Sequence, residues 1–368
     1  MRISKLFFAV LLLWQCQMQP SKEASLRQRL DALFAPMLAE NLNGGAVHVE
    51  MGGKVLFEKS FGYADFTTKE KFTANTVANL GSISKTFVAY GILKLQEQGK
   101  LSIDDPILKY FPDFKNKDLA SKITIRHFLT HTSGIPDSRN VGRDSVFYLT
   151  AKDAENFAPL KQTDTLEFEP GTNWNYSNPA FNGLALIIEQ VSGMKWQDYI
   201  SINIFVPSGM ASSKITDGSH PDSGVAHAYI FQNGKPVEFD YGEYPTFCAS
   251  GNGGVWSSIS DLRKYYQAIK SHAFVSPQTI DLSQALWKPA VWKQQEPPLN
   301  GLCWFVYEKN DAFHYKMVEH TGSQGGFTAI MTMIPEKDLL ILMEFNTERR
   351  VKEWRENIIT ALRELKFL

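Results

Sequence analysis

Charge of one sign is what this sequence most plainly lacks. Lys and Arg number 38 against 39 Asp and Glu, a formal net charge of −1. So balanced a chain has no cationic excess with which to hold a polyanion or an anionic lipid surface, and nucleic acid is excluded as an expected partner. Long apolar runs are missing too: the stretch Leu6 to Trp14 has nine residues, against the roughly 20 that a stable bilayer-spanning helix needs. No permanent membrane span is expected. Cysteine is scarce, with three in 368 residues, and neither Cys248 nor Cys303 has the neighbouring charge pattern that marks a thiolate nucleophile. What is present, 43% hydrophobic and 12% aromatic residues, suffices for a sizeable core and rules out disorder or a collagen-like repeat.

The opening segment has the layout of an export signal. Arg2 and Lys5 precede the short apolar run, which stops at Gln15-Cys16-Gln17-Met18-Gln19-Pro20. Residues 1–20 are therefore expected to be a signal segment, 21–368 one catalytic domain, and the location periplasmic or cell-envelope associated. Cys16 is a candidate for a lipid anchor, although Leu13-Trp14-Gln15 sets bulky groups where lipoprotein signals carry small ones. In an oxidising compartment Cys248 and Cys303 can form a disulfide or remain two separate buried thiols.

Periodicity outlines an α/β fold of the α+β type. Leu26, Leu30, Leu33 and Met37 recur at helical spacing, with Pro36 a kink or an end. Ala46–Val49 and Val55–Phe57 flank Gly52-Gly53 as a hairpin. Near the other end, Phe327–Ile334 and Leu339–Phe345 are strands joined at Pro335–Asp338, followed by a helical stripe of Val351, Trp354, Ile358, Leu362 and Leu365. The two ends can share one antiparallel sheet flanked by N- and C-terminal helices, an α/β part of about 21–80 and 250–368. Between them, about 81–249, helical signals at Ile83–Gln98 and Phe181–Val191 alternate with long polar loops, Pro136–Asn156 and Thr216–Pro245, as in a helical inserted subdomain. The site is expected between the two parts.

Missing motifs narrow the chemistry. The chain has no phosphate-cradling G-x-x-x-x-G-K-[ST], no dinucleotide G-x-G-x-x-G, no zinc-binding H-E-x-x-H and no G-x-S-x-G elbow. His127 and His131 are four apart, which on a helix would set both on one face as metal ligands; with no acidic residue between them and Thr130–Ser133 reading as a loop, a structural role is the stronger reading. No metal and no organic cofactor is expected.

Ser82-Ile83-Ser84-Lys85 is the stronger candidate. A serine hydroxyl needs a neighbouring base to become a nucleophile near neutral pH, and on a helix Lys85 lies one turn beyond Ser82. The chain holds one other Ser-x-x-Lys, Ser192 to Lys195, but Ser192-Gly193 reads as a helix C-terminus, where carbonyl dipoles oppose a developing anion. Ser82 follows Asn79-Leu80-Gly81 at a helix start, the end that favours negative charge, and Gly81 lets the backbone come close to a substrate. Two later clusters join it: Tyr176-Ser177-Asn178 in a loop leading into a helix, and His320-Thr321-Gly322-Ser323 before Gln324-Gly325-Gly326, a strand edge able to dock an extended substrate.

In that order the three clusters resemble the serine hydrolases related to class C β-lactamases, penicillin-binding D,D-peptidases and esterases. The likeness extends over nearly all of the chain after the leader through Leu129–Pro136, Phe168–Gly171, Gly253–Ser257 with Asp261, and Asn346. The resemblance implies a catalytic Ser82, with Lys85 and Tyr176 as the proton-transfer network and Asn178, His320, Thr321 and Gly322 as substrate-binding residues. It also implies an oxyanion hole from the backbone N–H groups of Ser82 and Ser323. Lysine and tyrosine ordinarily titrate near 10, so one or both must be shifted to act near neutrality, and the sequence leaves open which of them takes the Ser82 proton.

One departure bears on substrate. The lactamases and D,D-peptidases carry Lys-Thr-Gly where this chain has His320-Thr321-Gly322, and an imidazole is largely uncharged at pH 7 unless its surroundings raise its proton affinity. The expected activity is thus acyl transfer on a small ester, amide or D-amino-acid-containing peptide. β-Lactamase or D-Ala-D-Ala carboxypeptidase activity is the alternative, and a non-catalytic cell-wall peptide-binding protein the alternative from another class.

Overall fold

Gly52 and Gly53 have φ of 58° and 75°, a pair of left-handed conformations that glycine adopts freely and that closes a two-residue hairpin. They join β1 (Gly45–Met51) to β2 (Lys54–Phe61). In the computed structural model, which describes residues 20–39, 44–139, 147, 150–216, 224–233, 235–238, 248–289, 291–292, 300–310, 314–347 and 349–368, this hairpin is one end of a six-stranded sheet. The others are β3 (Phe305–Tyr307), β4 (Met317–Gln324), β5 (Phe327–Ile334) and β6 (Leu339–Phe345). Their order is β3-β4-β5-β6-β1-β2, antiparallel throughout. The two ends of the chain meet where β1 pairs with β6, Gly45 opposite Phe345.

Helices cover both faces. The labelled ones are α1 (Lys22–Ala39), α2 (Ser84–Glu97), α3 (Asp153–Lys161), α4 (Asn178–Ser192), α5 (Ile259–Lys270) and α6 (Val351–Glu364). Leu26, Leu30 and Phe34 of α1 and Ile358 and Leu362 of α6 pack on Val47, Val49, Ile330 and Met343. The alternate residues Ala46, Met331, Leu340 and Leu342 face the opposite core, shared with Phe87 of α2 and Tyr265 of α5. That period-two division lets one sheet serve two cores. The expected antiparallel sheet with flanking terminal helices is the observed fold, and α1 runs through Pro36 to Ala39.

Two expectations are corrected. The Pro136–Asn156 loop gives way to α3 from Asp153; its start carries no small polar N-cap, and the Glu155 carboxylate accepts from the Lys152 N–H instead (2.9 Å). Within Thr216–Pro245, Tyr229–Gln232 and Lys235–Glu238 pair as a hairpin. His127 and His131 do not share a helix, in line with the loop read over Thr130–Ser133: the helical turn Ile125–Leu129 ends before His131, which takes φ 58°. Cys248 and Cys303 are two separate buried thiols, one of the two alternatives left by the sequence. The signal segment apart from Pro20, with Cys16, lies outside the described residues.

Candidate active site

Ser82 sits in a single 3-10 turn, Gly81–Ile83, that runs directly into α2. Asn79 fixes the approach, its side-chain carbonyl accepting the Gly81 N–H at 2.7 Å. Gly81 has φ 51°, and a Cβ there would lie 2.6 Å from the Ser323 nitrogen. Reciprocally, a Cβ on Gly322 would lie 1.8 Å from the Leu80 carbonyl oxygen and 3.1 Å from the Ser82 nitrogen. Two glycines thus let the serine turn press onto β4, backbone to backbone. The room that Gly81 gives is used for strand β4, where the sequence suggested a substrate.

The strand edge beside Ser82 is open. β3 pairs with β4 only at Met317, Val318 and Glu319, so residues 320–324 continue without that neighbour and turn at Gly325 and Gly326, both at positive φ.

Lys85 lies one helical turn beyond Ser82 and is fully buried. Its Nζ is 3.0 Å from Ser82 Oγ and donates to the Asn252 carbonyl at 2.7 Å. Burial pushes its proton affinity down to about 7, and the positive charge of Arg139 acts in the same direction. Tyr176 hydrogen-bonds Ser82 from the other side, and burial pushes its phenol well above its ordinary range. Lysine and tyrosine are thereby shifted in opposite senses around one hydroxyl.

His131 brackets Tyr176. Its ring stacks on the phenol (centroids 4.3 Å apart), its Nδ1 accepts the Ser177 N–H (3.1 Å) and its carbonyl accepts the Asn175 N–H (3.0 Å). Burial holds the imidazole uncharged. His127 caps its own helix, Nδ1 accepting the Thr124 N–H at 3.1 Å. Both histidines therefore spend a ring nitrogen on the backbone, and no cluster of three or more metal-ligating side chains occurs among the described residues. The motif around His131 is tied to Phe168–Gly171 through Glu167 N–H to Gly134 O and Gly171 N–H to Thr132 O, each 2.8 Å.

The cleft has a volume of about 600 Å³, and Ser82, Tyr176, His320, Thr321, Gly322 and Ser323 all line it. Lys85 stands behind Ser82, and Asn178, at the start of α4 with Ser177 as N-cap, is not part of the cleft wall. His320 is fully buried and its proton affinity is lowered to about 3, chiefly by burial. Its Nδ1–H donates to the Thr321 carbonyl at 2.7 Å, which leaves the Nε2 lone pair unpartnered. Where the related enzymes hold an ammonium, this cleft presents a neutral acceptor.

Sequence reasoning missed part of the cleft lining, Phe305 together with Arg349, Arg350 and Lys352 and with Glu353. A signal existed: three cations at the start of α6 oppose the helix dipole, an arrangement with a local cost. Asn346 takes a structural part. Its side chain accepts from Gly44 N–H (2.8 Å) and donates to the carbonyls of Tyr63 (2.9 Å) and His227 (2.8 Å), tying three segments together. The second Ser-x-x-Lys is divided by Gly193 at φ 71°, so Ser192 ends one helix and Lys195 precedes the next.

Residues 30–365 match the Beta-lactamase family model. Penicillin-binding protein 4* of Bacillus subtilis is 29% identical over 93% of this chain and 76% of its own length. Among solved structures, the octameric penicillin-binding protein homologue from Pyrococcus abyssi is 27% identical with a TM-score of 0.73, over 87% of this chain and 73% of that one. D-amino acid amidase from Ochrobactrum anthropi superposes with a TM-score of 0.75 at 21% identity, over 93% and 99% of the two chains. The chain belongs to the beta-lactamase family and is a serine hydrolase.

Proposed function

We propose that this protein is an exported hydrolase that forms an acyl-enzyme on Ser82 and discharges it to water. The observation that carries the reading is the buried amine of Lys85, 3.0 Å from Ser82 Oγ and brought down to about 7. Near neutral pH a large fraction of that amine is uncharged and able to accept the serine proton. Tyr176, pushed the other way, keeps its proton and serves as the donor that passes it toward the leaving group. The Ser82 and Ser323 N–H groups take the developing oxyanion; such donors supply roughly 3–4 kcal/mol each. Thr321 and Gly322 offer the open β4 edge to an extended acyl group.

The substrate is a small ester, an amide or a peptide containing a D-amino acid. With His320 neutral, Arg349, Arg350 and Lys352 in the cleft lining are the groups suited to a substrate carboxylate. They keep D-Ala-D-Ala carboxypeptidase or β-lactamase chemistry as the second reading. Export rests on the basic-then-apolar opening of the sequence, with Cys16 as the candidate lipid anchor.

Intact-mass measurement after incubation with a serine-acylating probe tests the acyl-enzyme: wild type gains one adduct and Ser82→Ala none. Equal labelling of the two ends the proposal. Turnover of p-nitrophenyl esters, D-amino-acid anilides and a chromogenic cephalosporin then ranks the substrate classes.

A further inference from the structure

Asp153 is a buried carboxylate that the acyl-transfer scheme does not use. It opens α3 at 7% exposure. Its Oδ1 accepts from Asn182 Nδ2 at 2.6 Å and Gly251 N–H at 2.8 Å, its Oδ2 from Trp196 Nε1 at 3.0 Å and Ser250 Oγ at 3.4 Å. Asn182, fully buried on α4, passes the contact on, its Oδ1 accepting from Asn252 Nδ2 at 2.9 Å. Residues 250, 251 and 252 are thus all fastened, directly or through Asn182, to one carboxylate.

That short turn carries the Asn252 carbonyl, which accepts from Lys85 Nζ at 2.7 Å. A neutral amine has two N–H donors and one lone pair. When one N–H is committed to a fixed carbonyl, rotation about the Cε–Nζ bond is restricted and the lone pair can be held toward Ser82 Oγ, 3.0 Å away. A displaced carbonyl would release that rotation, and misplacement on the scale of an ångström is enough to slow proton transfer. We propose that Asp153 is the positioning residue of this site: through the 250–252 turn it fixes the carbonyl that orients the Lys85 amine. The inference rests on the reading of Lys85 as the base for Ser82.

The surroundings suit this role. Burial pushes the Asp153 carboxyl up to about 6 against the pull of its donors from Gly251, Asn182 and Trp196, and the charge of Glu189 on α4 raises it further. Arg139 is the cation nearby, hydrogen-bonded to Asn156 of α3 at 2.6 Å and also felt by Lys85. A carboxylate kept where the fold disfavours its charge, yet fully supplied with donors, is placed for geometry rather than for net stability.

The test follows Lys85 itself. With 13C-labelled lysine, the Lys85 ε-carbon resonance is assigned by its loss in Lys85→Ala and titrated in wild type, Asp153→Asn and Asn182→Leu, each shown to be folded by thermal melting. Loosening the carbonyl removes an acceptor that favours the ammonium, so the midpoint should fall by roughly half a pH unit or more in both variants. Ser82 acylation should slow ~10- to 100-fold with KM nearly unchanged. In the Lys85→Ala background neither substitution should slow the residual acylation further. An unmoved Lys85 midpoint, or equal slowing with and without Lys85, overturns the proposal. A wild type that never acylates while its Lys85 midpoint responds to Asp153→Asn would refute the acyl-enzyme reading and leave the positioning role standing.

Discussion

Lys85 and Tyr176 meet behind the cleft, the amine nitrogen 5.1 Å from the phenol ring centroid, and burial moves their proton affinities apart. Between two groups that titrate near 10 in water, the proposed mechanism makes the one brought to about 7 the base and the other a donor. The acylation rate should therefore rise tenfold per pH unit below about 7 and level off above it. Stopped-flow acylation by a chromogenic ester across pH 5–9 checks this, and Tyr176→Phe should lower the plateau while keeping the midpoint. A midpoint that vanished with the phenol would make Tyr176 the base.

The same burial has a cost in stability. Lysine titrates at 10.5 when unfolded and at about 7 here, so between those values the unfolded chain binds more protons and stability lost to the buried cation returns as pH rises. Lys85→Met should cut acylation to a small residual rate and stabilise the fold by on the order of 2–4 kcal/mol at and below pH 7. The gain should shrink toward pH 10. Urea unfolding of both proteins at pH 6.5 and 9.5 measures it, and a variant less stable than wild type at pH 6.5 would contradict it.

Gly322 gives a geometric prediction. Its φ is ordinary, so only space is at stake, and an added Cβ would lie 1.8 Å from the Leu80 carbonyl. Gly322→Ala should push the serine turn off β4 and separate the Ser82 and Ser323 N–H groups. Loss of an oxyanion donor costs ~100- to 1,000-fold in kcat, while the Lys85 titration, set on the other side of Ser82, should not move.

His131 shows why part of the site could be read from sequence and part could not. The end of the helix before His131 was legible, since Thr130–Ser133 reads as a loop, but what the ring then packs against was not. Its partners, Tyr176 and Ser177, lie more than forty positions away. Strands β5 and β6 were legible as largely apolar runs buried on both faces, the Gly52-Gly53 turn by its residue types and the stripe on α6 by its 3.6 period, all of it local information. Ser82 and Lys85 were legible for the same reason, one turn of helix joining them. The Asn252 carbonyl and the cationic part of the cleft lining depend on tertiary placement. His131→Phe, which retains the stack and removes the Nδ1 acceptor, should lower kcat ~10-fold through a loosened Tyr176; His131→Asn, restoring an acceptor, should recover part of that loss.

Charge at the mouth of the cleft should decide between the two substrate readings. Arg350 is mostly exposed and paired with Glu353 at 3.7 Å, and Lys352 lies over the Phe305 ring, 5.5 Å from its centroid. Neither is bound tightly enough to be unavailable to a ligand. If the natural acyl donor ends in a carboxylate, Arg350→Glu with Lys352→Glu should raise KM for D-alanyl peptides bearing a free carboxylate ~10-fold, and salt should weaken the wild-type advantage. The same double variant should leave KM for the amide-capped peptide and for a neutral p-nitrophenyl ester within about twofold, since surface charge contributes little to an uncharged ligand. Because neither residue takes part in the proposed proton transfer, kcat should hold for every substrate. Equal KM values for free and capped peptides in wild type would instead assign the cleft to neutral esters and amides, the outcome that the uncharged His320 favours.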